Sequence, residues 1–276
     1  MSAWLFFLLV TQAAPAAPPR PPAQAWLEAA HRQGRELPPD ARVHALQRLS
    51  VLARQVNPPL AAGYFREAFL AANDVGEPAR RGKVQYQLVR DLAESAPARA
   101  LDLALEMGDF GSEEIDWRAA SANVAMAAWT KQNPAQSVEG LERIYSAGLR
   151  HLQPATRLIR AAQATQPDLA AQVFQRSLAL YRASPGRDMS MMIELIFQCQ
   201  AMLRVNQEAT LKALRSLIGD INEMGKSDSD SAAAALGLRT LALDTLRQVN
   251  PEEAQKLAQQ DAEFEVVEEP RTGLFG

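Results

Sequence analysis

Few residues of this chain stand at a spacing that chemistry requires. Asp109-Phe110-Gly111 spells a triplet that holds magnesium in phosphoryl-transfer sites, yet the Gly-rich loop and catalytic loop such a site needs are missing from the sequence. The triplet reads as a turn after a helix ending near Met107. Asp228 and Asp230 begin like a calcium loop, in which carboxylates at alternate positions converge on the ion, but the required Gly and Glu are replaced by Ala233 and Arg239. That stretch reads as a polar loop leading to a helix cap. The histidines, His31, His44 and His151, are far apart, and no His-x3-His pair, Gly-x-Ser-x-Gly elbow or phosphate-cradling Gly loop occurs. The single cysteine, Cys199, lies in an apolar stretch from Met189 to Leu203 and reads as a small buried hydrophobe. Met189, Met191 and Met192 read as core packing rather than soft-metal ligands. The expectation is no catalytic residue, no metal and no cofactor.

The polar groups that invite a binding role are of another kind. Ser190, Glu194 and Gln198 recur every four residues on the apolar helix and form a narrow stripe, with Arg157 and Arg160 at comparable heights on a preceding element. One reading is a hydrogen-bonded seam between adjacent helices, because a carboxylate placed there needs a partner. The other is a surface that captures a ligand, with Arg150, Arg157, Arg160, Glu194 and Gln198 as partner-binding residues. Charge is uneven around them: residues 101–142 carry eight acidic and two basic side chains, whereas 143–187 carry seven arginines against Asp168 alone. Such blocks either attract neighbouring elements to each other or steer an acidic partner. The overall balance of −3 leaves no basic footprint for nucleic acid.

The elements that position these groups are helices. Hydrophobic residues make up 47% and aromatics 6%, with Ala and Leu dominant and β-branched residues sparse. From residue 38 an apolar-periodic stretch repeatedly ends at Asn or Gln and restarts at Pro. The anchors are Pro58, Pro97, Pro134, Pro167, Gln207 and Pro251, spaced by 39, 37, 33, 40 and 44 residues. Three residues after each stands a small side chain: Ala61, Ala100, Ser137, Ala170, Thr210, Ala254. At offsets of seven and ten the positions are mostly apolar, with Ser177 and, breaking the pattern, Asp261 at offset ten, and these offsets trace one face of a helix. Five and eight residues upstream the pattern runs back through a preceding helix. Asn caps, and Pro suits a first helical turn because its missing amide hydrogen would have no partner there. First helices are therefore predicted at 39–56, 78–95, 113–132, 153–165, 188–205 and 229–249. Their partners are predicted at 58–73, 97–107, 134–148, 167–184, 207–223 and 251–263, and a leading helix near 24–35 covers the first pair.

This arrangement resembles an α-solenoid of the tetratricopeptide or HEAT type over about residues 38–263, and Ala61-x3-Phe65-x2-Ala68 is similar to the second-helix signature of a tetratricopeptide repeat. The Leu-Gly and Tyr positions of that family's first helix are missing. The resemblance implies an all-α, right-handed superhelix of about six helix pairs with a concave surface for a protein or peptide. A compact antiparallel bundle is the alternative fold. Glu94-Ser95 is similar to the catalytic Glu-Ser of lytic transglycosylases, but no Gly-rich Gln motif follows it.

The amino terminus carries a compact apolar run at residues 4–10 followed by small residues, which reads as a secretory signal over 1–16. A retained anchor is the competing reading, since no Lys or Arg precedes the run. Prolines crowd the linker at 17–23 and favour an extended spacer. Beyond the repeat domain at 24–263, residues 264–276 read as a flexible tail. The function expected from all this is a non-enzymatic exported scaffold, periplasmic or secreted, without a membrane span in its mature chain. An α-helical toroid or superhelix enzyme acting on cell-wall or acidic polysaccharide is the alternative.

Overall fold

The computed structural model describes residues 22–108, 115–184, 188–226 and 229–265. The apolar leader, nearly all of the Pro-rich stretch, Asp109-Phe110-Gly111, Arg187, Asp228 and residues 266–276 lie outside these. Within the described residues the chain is all-α: thirteen α-helices, one short 3-10 turn and no strand.

The helices are α1 (Ala23–Arg35), α2 (Pro39–Ala53), α3 (Pro58–Ala71), α4 (Pro78–Ala93), α5 (Pro97–Glu106), α6 (Trp117–Gln132) and α7 (Pro134–Ser146). They continue as α8 (Gln153–Ala162), α9 (Pro167–Ala183), α10 (Met189–Met202), α11 (Gln207–Met224), α12 (Ser229–Arg247) and α13 (Pro251–Glu265). All thirteen segments read from the sequence are present, and every repeat anchor is the first residue of a helix.

The junctions explain this regularity. Asn57, Asn133, Asn206 and Asn250 each accept through Oδ1 from the amide three residues on, at 3.2, 3.2, 3.0 and 3.1 Å. Ala96 and Gln166 make no such bond, yet their φ of −147° and −141° stays close to the −154° of Asn57. A following proline excludes helical geometry from the residue before it and holds the backbone extended without the cap. Asn206 has only the cap, because Gln207 replaces the proline. Asn206→Ala is therefore expected to cost about 1–2 kcal/mol in thermal unfolding, and Asn133→Ala less, since Pro134 still enforces the break.

Five of the six first helices end two or three residues before the predicted boundary. At each junction the amide of the residue before the anchor turns back onto the carbonyl four residues earlier: Asn57 onto Ala53 at 2.7 Å, Gln166 onto Ala162 at 2.7 Å, Asn206 onto Met202 at 2.9 Å and Asn250 onto Leu246 at 2.8 Å. α6 alone runs straight to its junction, where Asn133 ends it and caps α7. The small residues three positions after the anchors are all buried, and Ala100, Ser137, Ala170, Thr210 and Ala254 have no exposed surface at all.

The chain divides between Val75 and Gly76 into two compact units. In the first unit α2 packs against α1 and α3, around Leu27, Leu49, Ala53, Ala61 and Tyr64. His31 and Arg35 of α1 reach Glu67 of α3 at 2.6 and 3.0 Å, and the His31 ring stacks on Tyr64 with centroids 4.6 Å apart. Burial pushes the Tyr64 hydroxyl above its ordinary pKa, helped by the negative charges of Glu28 and Glu67.

In the second unit every substantial packing joins a helix to its next or next-but-one neighbour. α4, α6, α8, α10 and α12 pack one after another as an inner row. Each of α5, α7, α9 and α11 lies against the two inner helices that flank it in sequence, and α13 lies against α12. That is why α6 and α10 are apolar on more than one side: they are covered by two inner neighbours and by outer helices. Polar ties run along the outer row. Asp102 pairs with Arg143, Glu142 with Arg176 at 3.0 Å, the Tyr181 hydroxyl donates to Asp220 at 3.2 Å, and Arg215 grips Glu253 through two bonds at 2.6 and 2.8 Å. These ties link α5 to α7, α7 to α9, α9 to α11 and α11 to α13. The acidic and basic blocks of the sequence thus meet between neighbouring helices, and exposed pairs of this kind add little to stability because solvent screens them.

Candidate functional site

The polar groups expected to carry binding are divided by the fold. Gln198 is fully buried on α10, and its Nε2 donates across to Oγ1 of Thr156 on α8 at 3.2 Å. Thr156 in turn donates to the Leu152 carbonyl at 3.2 Å. Of the two readings of Gln198, the seam between helices is the one its position fits. Two residues on, Gln200 makes the matching bond in the opposite direction, to Oγ1 of Thr245 on α12 at 3.1 Å, and Thr245 donates to the Leu241 carbonyl at 2.9 Å. α10 is therefore tied to both inner neighbours by a glutamine, a threonine and a backbone carbonyl.

The Oε1 of Gln198 has no hydrogen-bond partner in its buried position. An unmatched buried acceptor costs about 1–3 kcal/mol, comparable with what the amide-hydroxyl bond contributes. Gln198→Met, which keeps the volume and removes that oxygen, is expected to leave the urea midpoint unchanged or raise it. A fall of more than 2 kcal/mol in unfolding free energy would show the seam to be worth far more than one hydrogen bond.

Ser190 belongs to a cap rather than to a stripe. Its hydroxyl donates to Asp188 at 2.7 Å, and Asp188 also accepts from the amides of Ser190 and Met191. Burial pulls the Asp188 carboxyl upward, but these hydrogen bonds outweigh it and hold its pKa below the ordinary value. Glu194, half-buried on α10, makes no hydrogen bond or ion pair among the described residues. On the neighbouring α8 the exposed Arg157 donates to the Asn123 carbonyl of α6 at 3.1 Å, and Arg160 lies over the Phe197 ring of α10, 5.5 Å from its centroid. Arg157, Arg160, Glu194 and Phe197 are thus carried on two packed inner helices. Arg150 is exposed in the segment before α8 and has no partner among the described residues.

At the carboxy-terminal ends of α8, α10 and α12 the inner row opens into a cleft of about 540 Å³. Arg160 and Gln163 come from α8 and the turn after it, Gln200 from α10, Leu203 and Arg204 from the turn after α10, and Gln248 from the turn after α12. The sequence reading reached Arg160 and missed the others. A signal was present: Arg-Gln-Val-Asn-Pro occurs at 54–58 and again at 247–251, with Lys131-Gln132-Asn133-Pro134 and Arg204-Val205-Asn206 as shortened forms. A basic side chain at the end of a helix compensates the partial negative charge of the terminal carbonyls, which accounts for the phrase structurally. A second groove of about 300 Å³ between α7 and α9 is bridged by the Glu142–Arg176 pair.

The groups that might do chemistry stay apart. His31 is on α1, His44 exposed on α2, and His151 before α8, 3.8 Å from Asp116. Glu94 stands at the end of α4, where its backbone carbonyl accepts from Gln132 at 3.0 Å. Burial pushes the Cys199 thiol up to about 12, so it is not a nucleophile in the folded chain. Among the described residues no three metal-ligating side chains converge, and no helix is long and apolar enough to cross a membrane. Comparison with known protein families, with curated proteins and with solved structures found no match.

Proposed function

We propose that this chain is a non-enzymatic scaffold, exported through its apolar leader, that binds a protein or peptide partner through a helical-repeat surface. The observation that carries the reading is the packing of α4 to α13, in which each helix leans on its next and next-but-one neighbours. An array of this kind buries its apolar flanks between repeats and leaves a row of inner helices to present side chains, as a right-handed solenoid does. Arg157, Arg160 and Glu194 are the presented groups from the inner row, with Arg150 at its edge, while Gln198 supports them from within the seam.

Charge-reversal variants test this, with thermal midpoints read beside binding because Arg157 is exposed but Glu194 is half-buried. Envelope proteins are passed over the immobilised chain and over a variant carrying Arg157→Glu and Glu194→Arg. A partner retained by the native chain and reduced at least tenfold by the variant, with equal thermal midpoints for the two, supports the reading. Turnover of peptidoglycan or an acidic polysaccharide that is lost in Glu94→Gln would overturn it in favour of an enzyme.

A further inference from the structure

We infer that the cleft at the ends of α8, α10 and α12 is the docking site for an extended acidic peptide segment of the partner, an inference that rests on the partner-binding reading above. The argument begins with charge. Arg160 and Arg204 both line the cleft, neither has a carboxylate partner among the described residues, and no acidic side chain lines it. The outer-row arginines Arg143, Arg176 and Arg215 each hold a carboxylate of a neighbouring helix instead. Two guanidiniums facing one cleft repel each other and favour an anion between or across them.

The remaining lining decides which anion. Gln163 and Gln248 make no side-chain hydrogen bond among the described residues, and Gln200 spends one N–H on Thr245 and keeps its oxygen and second N–H. Each such amide offers donors and an acceptor together. A fully ionised phosphate, an acceptor at every oxygen, would leave the glutamine oxygens of the cleft without donors. An extended peptide supplies N–H groups for the glutamine oxygens, C=O groups for the amide hydrogens, and carboxylates for the two arginines. Leu203 adds apolar floor for the residues between the carboxylates.

The probe is a fluorescein-labelled hexapeptide of alternating Glu and Val, read by fluorescence polarisation on the full chain at low salt, beside the same peptide with Gln for Glu. The Glu peptide is expected to bind at least tenfold more tightly than the Gln peptide. Arg204→Glu and Arg160→Glu are each expected to weaken it tenfold or more, whereas Arg99→Glu, the same charge change on α5, should stay within twofold. Equal binding of the two peptides, an equal loss in Arg99→Glu, or displacement by hexagalacturonate as effective as by unlabelled peptide would each overturn the inference. Circular dichroism of the variants excludes unfolding as the cause. If a partner is captured in the pull-down and its retention is unchanged in Arg204→Glu, the cleft is wrong while the scaffold reading stands.

Discussion

Phe174→Ala is expected to lower the unfolding free energy by about 3–5 kcal/mol, enough to remove a large share of what holds a domain of this size folded. Phe174 lies on α9 seven residues after its anchor and has no exposed surface. α9 packs against α8 and α10, so the emptied volume sits where two inner helices and one outer helix meet. Ala170 and Ser177 border it along the same helix face and are too small to fill it. Urea denaturation followed by circular dichroism measures the effect as a fall in midpoint with little change in slope. A loss below 1 kcal/mol would mean that Phe174 is not packed between these helices.

The second large effect comes from adding volume. Gly140 lies in the middle of α7, and a Cβ built there would stand 2.6 Å from Sδ of Met126 and 2.8 Å from the Trp129 ring, both on α6. Both side chains are themselves buried, so neither swings aside without displacing others. Gly140→Val is expected to cost about 3 kcal/mol, against an intrinsic helix preference that favours valine over glycine. Gly219 on α11 is the control, because nothing lies within 4 Å of its would-be Cβ. There Gly219→Ala should raise stability by about 1 kcal/mol through helix propensity alone. Opposite signs at the two glycines, read from the same melting experiment, separate close approach from backbone freedom.

The anchors made most of this architecture readable in advance. Proline cannot continue a helix, asparagine caps one, and the small residue three positions on is buried in all six instances, so each helix pair announces its own boundary. The positions eight residues upstream are equally regular: Ser50, Val89, Met126, Ile159, Cys199 and Leu243 are all buried. Leu92 departs among the five-upstream set, being only half-buried, and Ala93 beside it takes the interior position.

The binding groups were harder to read. Helical spacing put Ser190, Glu194 and Gln198 on one stripe, but their fates were set by what faces them: Asp188, no partner, and Thr156. Arg204 and Gln248 gave no periodic signal because they lie at helix ends, where 3.6-residue periodicity stops. Their only trace was the recurring basic-Gln-Val-Asn phrase. Arg143 and Arg176, nine residues after their anchors, formed a register of their own that became meaningful once Asp102 and Glu142 stood opposite.

The measurement that tests the neighbour-on-neighbour arrangement most directly is native-state hydrogen exchange of the full chain over rising denaturant. Helices that lean only on adjacent pairs should lose protection in contiguous groups of differing free energy, with α12 and α13 opening before the α6 to α10 interior. A single opening free energy and a single denaturant slope shared by the core amides of α4 through α13 would contradict the arrangement and favour one indivisible bundle.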